Sequence, residues 1–403
     1  MISLIAFLLL IIGLFFPSSL NTVISTQLVF INMCIFLSVI TFLIIKRQKI
    51  NKMGFFIFIG INLLLILSTY FTPFNEIRAG SFILYLSLSV VFMLDLSNLN
   101  ISKNVDKLFF IINIVIFIFS FAITSEIPGF SDFLIKNYSA AYPELVPNMM
   151  MLHKPVFTFG THSLAGFFMF LLFFICFEKF KYLNNKAYLI FSILYMVTMI
   201  MIGSVTSYLF FGLALCFVLW HFTRKRRILL YFTILIALVS FFVFQDFLIA
   251  FYNQMAFDMR ASFGSTGNGF FGRYSSTGNL QGNFNYLKEN YFRPVGFGYS
   301  PEIMYVDSGY VEYLTRGTFL LVILIFAGLF LFLRNNLKSK NAAYSLFFIF
   351  LLFENGFSGL TYYRTIYLLP FIVLYLNHIY DMHPNPGLCE NKKRIFKKIR
   401  ITL

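Results

Sequence analysis

Charge is scarce in this chain. Of 403 residues only 12% are Asp, Glu, Lys or Arg, roughly half the share found in soluble domains. Too few polar side chains are present to cover a water-facing surface. That excludes a soluble globular enzyme, a disordered chain and a fibrous repeat. Acidic residues are scarcer still: 16 Asp and Glu stand against 31 Lys and Arg, a formal net charge of +15. There are four cysteines, Cys34, Cys176, Cys216 and Cys389, with no CxxC pairing, so the sequence implies neither a disulfide framework nor a metal site. The first apolar segment has no basic leader and no A-x-A site, and it reads as a retained helix rather than a signal peptide.

What is abundant is apolar surface. Hydrophobic residues make up 59% and mean hydropathy is +0.81. A spanning helix needs about 20 mostly apolar residues, and continuous rather than alternating runs favour helices over a barrel. Twelve such segments are expected, at 2–16, 23–45, 53–71, 79–96, 108–123, 156–177, 187–203, 205–220, 228–250, 315–333, 342–360 and 366–380. The expected fold is an all-α polytopic membrane protein, one membrane-embedded unit over 1–403. Lipid is its solvent and therefore a partner. The 58 Phe residues reflect that setting and carry no function of their own.

Basic residues set the orientation. Of the 31 Lys and Arg, 22 fall in alternate loops and the tail, among them Lys46, Lys103, Lys179, Lys181, Arg224, Arg334 and Lys392. The other nine lie in the remaining loops. This asymmetry places both termini in the cytoplasm and accounts for the high pI without a nucleic-acid partner. The basic tail, 381–403, suits anionic lipid.

Two outer loops stand out, 124–155 and 251–314. The second is the long polar one. It contains Gly267-Asn-Gly-Phe-Phe-Gly272, which formally matches GxGxxG but follows a membrane helix rather than a strand, so no dinucleotide site is expected. The same loop carries Gly272-Arg273-Tyr274, Arg293-Pro-Val-Gly-Phe-Gly298, Val306-Asp307-Ser-Gly-Tyr310, Glu312 and Arg316-Gly317. Arginine is planar, permanently charged and bidentate, which suits phosphate. Gly296 and Gly298 allow close backbone approach. Asp307 is a candidate base for a sugar hydroxyl. Tyr291, Phe292, Tyr299, Tyr305 and Tyr310 are candidates for stacking on sugar rings. Glu354 lies in an apolar segment and is functional by default, expected either to contact Arg364 or to line the cavity.

This arrangement resembles the O-antigen polymerase (Wzy-type) and O-antigen ligase superfamily. The resemblance rests on twelve expected spans, one long outer loop before the last three, and the ordered matches Gly272-Arg273, Arg293-Pro294, Gly296-Phe-Gly298, Asp307-Ser-Gly-Tyr310 and Gly317. Phe159-Gly-Thr-His162-Ser163-Leu-Ala-Gly166 is a second match. Asp at 307, where ligases tend to carry His, favours the polymerase branch. Ser204-Val-Thr-Ser-Tyr208 lacks the Ser-Arg pair of many members.

The resemblance implies a polyprenyl-diphosphate-linked oligosaccharide as donor, a second such unit as acceptor, a chain-length regulator as a further partner, no cofactor and no metal. It places the site at the periplasmic face of a bacterial inner membrane. Arg273 and Arg293, supported by Arg260 and Arg316, would hold the diphosphate beside Gly296, Gly298 and Tyr310. Asp307 would serve as base, with His162 second and Glu312 third. The alternatives are a ligase and a lipid-linked oligosaccharide flippase. A flippase would have short loops and several ionisable residues inside its spans, where the sequence offers only Glu354.

Overall fold

In the computed structural model, residues 2–16, 51–125, 127–130, 133, 138, 154–159, 161–225, 280–300, 303 and 308–382 are described. The expected spans at 23–45 and 228–250, the basic tail and the segment holding Arg260 and Arg273 lie outside them, as does Asp307.

The described chain is helical. Its helices are α1 (Ile2–Phe15), α2 (Lys52–Tyr70), α3 (Ala79–Met93), α4 (Lys103–Thr124), α5 (His162–Leu183), α6 (Lys186–Ile202), α7 (Val205–Lys225), α8 (Gln281–Glu289), α9 (Gly309–Asn336), α10 (Lys340–Phe353) and α11 (Tyr363–Met382). Two short strands, β1 (Glu76–Ile77) and β2 (Gly298–Tyr299), pair antiparallel. Five helices, α2, α4, α5, α7 and α9, are long and apolar enough to cross a membrane.

Local chemistry sets the helix ends. The side chains of Asn51, Thr161, Asn185 and Ser339 accept backbone N–H bonds at the starts of α2, α5, α6 and α10, satisfying donors that the first turn leaves open. Left-handed Asn184 and Gly203 end α5 and α6, the usual C-terminal solution. The expected start of the sixth span at 156 is displaced to His162: Phe157 has a left-handed φ of +53°, and the helix starts only after the Thr161 cap. The helix expected from 315 begins at Gly309, six residues early, since its polar first turns find partners within the protein. It kinks at Gly317 and Thr318, where φ and ψ leave the helical region.

Helix α5 is the centre. Of its most apolar window 89% is buried, against 22–28% for α2 and α7. It packs on α6, α7 and α11, while α9 packs on α2, α3 and α10. Phe167 of α5 and Phe353 of α10 stack with ring centroids 3.8 Å apart.

Hydrogen bonds gather one set of helix ends. Ser102 N donates to Ser3 Oγ at 2.8 Å, Asn51 N to Met93 O at 3.1 Å, and Asn377 Nδ2 to Asn336 O at 2.7 Å. Lys338 pairs with Asp381. Lys179 is 1% exposed. It pairs with Asp106 and donates to the Tyr188 and Tyr375 hydroxyls at 2.9 and 2.8 Å. All of these belong to the basic end of the bundle. Lys179, expected in a loop, is instead a tie between α4, α5, α6 and α11.

Candidate functional site

The opposite end of the bundle holds the remaining buried charge. Its centre is Arg316, with no exposed surface. Glu312 lies one turn earlier on α9 and accepts from Arg316 Nε at 2.8 Å. The guanidinium also donates to Gly296 O at 2.7 Å and to Ser81 Oγ at 3.1 Å. Tyr85 OH donates to Glu312 Oε1 at 3.1 Å. Arg316 and Glu312 thus join α9 to α3 and to the segment 293–299.

That segment is stitched on both sides. On the α9 side, Val295 N donates to Thr315 O at 2.9 Å and Gly296 N to Arg316 O at 2.8 Å. Toward α2 and α3, Phe297 N donates to Thr69 Oγ1 at 2.9 Å and Arg78 N to Phe297 O at 2.9 Å. Glu76 and Ile77 pair with Tyr299 and Gly298, and the Arg78 guanidinium lies 4.2 Å from the Tyr299 ring centre.

Gly296 has φ +60°, and a Cβ there would overlap Thr69. A Cβ on Gly298 would press on Thr72 Oγ1. Both glycines do permit close backbone approach, and within the protein what approaches them is the end of α2 and Thr72.

The candidate residues separate by exposure. Arg316 and Glu312, expected to meet substrate, are buried against each other, and Arg316 bonds to Gly296 O of the 293–299 segment. Tyr310, expected to meet a sugar, donates to Leu351 O at 3.0 Å and packs its ring on Phe326. Arg293 is exposed. Its charge reaches the buried phenol of Tyr286, which burial pushes above its ordinary pKa and Arg293 pulls back down.

His162 stands in the first turn of α5, and its carbonyl accepts the Ser204 hydroxyl at 3.4 Å. Ser204 and Ser207 share a hydroxyl contact of 2.8 Å. A Cβ on Gly166 would come within 2.7 Å of Ser207 Cβ. The His162–Gly166 and Ser204–Tyr208 motifs, far apart in sequence, therefore meet where α5 crosses α7.

Glu354 does not take Arg364 as its partner. It caps α10, accepts Tyr313 OH at 2.7 Å and accepts Leu360 N at 2.6 Å. Its carbonyl accepts Gly309 N at 2.8 Å, which ties the residues just after Asp307 to α10. Arg364 instead donates to Leu14 O and Thr158 Oγ1, each at 2.7 Å, and to Thr158 O at 2.6 Å. It sits at the C-terminal end of α1, where a helix favours positive charge.

Residue type alone did not reveal Lys179 or the carbonyl-bound role of Arg364. The Glu312–Arg316 pair did carry a signal, the i, i+4 spacing of opposite charges. The buried charges are more numerous than the sequence suggested. Lys179, Glu178, Glu312, Arg316, Glu354 and Arg364 are all buried, yet each lies near a helix end rather than in the middle of a span. No family model, no characterised protein and no solved structure matches the chain.

Proposed function

We propose that this protein is a glycosyltransferase of the O-antigen polymerase type. It joins oligosaccharide repeat units carried on polyprenyl diphosphate at the periplasmic face of the inner membrane. The observation that carries the reading is the sorting of arginines at the non-basic end. Arg316 is consumed in holding the 293–299 segment against α9, and this leaves Arg293 presented on an anchored, exposed turn.

In this reading Arg293, with Arg273 and Arg260, neutralises the donor diphosphate. Charge-assisted hydrogen bonds of this kind contribute ~1.5–3 kcal/mol each. Asp307 removes the proton from the acceptor hydroxyl, with His162 as the second candidate. The hydroxyl oxygen then bonds to the anomeric carbon of the donor, the C–O bond to diphosphate breaks, and the diphosphate carrier leaves with the bonding pair. Because diphosphate is already a good leaving group, most of the catalysis lies in stabilising its charge. Buried charges placed at helix ends rather than mid-span fit a surface reaction better than a transport path through the bilayer.

The test is complementation of a strain that lacks its repeat-unit polymerase, read as a polysaccharide ladder on a gel. The wild-type chain restores the ladder. Arg273→Ala and Asp307→Ala lose it while membrane levels hold. A single capped repeat from the wild-type chain refutes the reading.

A further inference from the structure

Helix α8 lies at the non-basic end and is fastened to α9 by Asn283 Nδ2, which donates to Thr315 Oγ1 at 3.2 Å. Beneath it is a cavity of about 540 Å³ bounded by Phe284, Leu287, Lys288, Tyr291, Phe292 and Leu314. Its volume falls within the ~300–1,000 Å³ range of small-molecule pockets. Five of the six bounding side chains are apolar or aromatic, and the sixth is an exposed lysine.

The cavity adjoins an exposed apolar strip of α9. The Phe292 ring stacks on Phe319 of α9 at 6.3 Å, and Phe319, Leu320 and Ile323 are 65%, 51% and 63% exposed. In a spanning helix those residues face lipid. The cavity therefore continues an apolar strip of α9, just below the kink at Gly317 and Thr318.

The backbone that closes it is unusual. Tyr291 and Phe292 have φ of +50° and +59°, a left-handed region that residues with a Cβ seldom occupy. Helix α8 ends there through Phe292 N donating to Leu287 O at 2.8 Å and Arg293 N to Asn290 O at 2.9 Å. Glycine ordinarily fills such an end. Here two aromatic residues fill it, leaving Tyr291 93% exposed and Phe292 49% exposed. Strain retained at an exposed aromatic pair marks a functional surface.

Charge completes the arrangement. Lys288 is on the rim, and Arg293 directly follows the strained pair. Both basic side chains are exposed, so basic charge stands beside an apolar cavity.

We infer that the cavity under α8 seats the first isoprene units of the polyprenyl diphosphate carrier, with Lys288 and Arg293 meeting its diphosphate. This rests on the function proposed above, because it is the carrier that joins an apolar chain directly to a diphosphate. Tyr291 and Phe292, expected to stack on sugars, are here assigned to the lipid chain.

The test uses the full chain in phosphatidylethanolamine–phosphatidylglycerol nanodiscs with a benzophenone-bearing polyprenyl diphosphate, and maps the labelled peptide by mass spectrometry. Labelling is expected within 281–293, displaced by unlabelled polyprenyl diphosphate and not by excess phosphatidylglycerol. Phe292→Gly keeps the left-handed backbone but removes the ring, and Leu314→Trp fills the cavity. Each is expected to lower labelling at least fivefold, with the size-exclusion profile unchanged. Equal labelling by a benzophenone phosphatidylglycerol, or carrier labelling that both variants leave intact, overturns the inference. The two readings separate cleanly. Labelling at 281–293 in a chain that fails to complement keeps the seat and removes the polymerase reading. Complementation without that labelling does the reverse.

Discussion

Removing one member of the Glu312–Arg316 pair should cost more than removing both. The pair is buried, with side chains 6% and 0% exposed. Arg316→Met leaves the Glu312 carboxylate with Tyr85 OH as its remaining partner among the bonds described above. Glu312→Gln removes the carboxylate that Arg316 meets among the bonds described above. Breaking a buried pair from one side typically costs ~3–5 kcal/mol, whereas neutralising both members is often close to neutral. The double variant still loses the guanidinium bonds to Gly296 O and Ser81, roughly 1–3 kcal/mol for groups left unsatisfied. The assay is thermal unfolding in detergent, followed by fluorescence-detected size-exclusion chromatography. At ~2 °C per kcal/mol for a large chain, each single variant should lose ~6–10 °C and the double ~2–6 °C. Additive losses in the double variant would refute the reasoning, because the two side chains would then act independently.

Other perturbations test neighbouring claims. Gly309→Ala places a methyl on Glu354 Oε2; since Tyr313 and Leu360 hold that carboxylate in place, the variant should lose ~1–3 kcal/mol. An unchanged Tm would show that Glu354 moves freely. Arg364→Met frees carbonyl and hydroxyl acceptors but strands no carboxylate among its described partners, so it should cost ~1–3 kcal/mol and melt above Arg316→Met; the reverse order of Tm would contradict this. Lys179→Met leaves Asp106 with the Tyr375 hydroxyl but no cation among its described partners at the basic end. With Asp106 24% exposed, water softens the loss to roughly 1–3 kcal/mol, and adding Asp106→Asn should recover most of it in the same melt.

The helical body is legible because apolar runs of spanning length leave the backbone few alternatives. Its edges are less so. The start of α5 depends on the Thr161 cap, and the start of α9 depends on residues more than forty positions away, since Gly309 N meets Glu354 O. Polar residues from Gly309 to Arg316 read as loop in sequence, but as helix once Glu354, Gly296 and Ser81 satisfy them. The residue types at the candidate site were also readable, while their roles were not. An exposed arginine and one bound to a buried carbonyl look alike until burial separates Arg293 from Arg316. Gly296 and Gly298 show the same ambiguity, since close approach to Thr69 and close approach to an anion both require glycine. Asp307, Arg273 and Arg260 lie outside the described residues.

The burial of Arg316 bears on the role proposed for Arg293. A guanidinium that meets diphosphate must keep its donors open and its backbone fixed, because loosely held donors reorganise instead of stabilising developing charge. Two bonds from the 293–299 segment to α9 and two to the α2–α3 side fix that backbone, with Arg316 closing the α9 side through Gly296 O. In the proposed reaction Arg316 would therefore contribute through the position of Arg293. It follows that Arg316→Lys, which keeps the charge but not the three-way fork, should slacken the segment and weaken carrier binding even where Glu312 stays paired. Equal carrier labelling in wild type and Arg316→Lys would detach the buried pair from the exposed arginine and leave Arg293 to be explained by its loop alone.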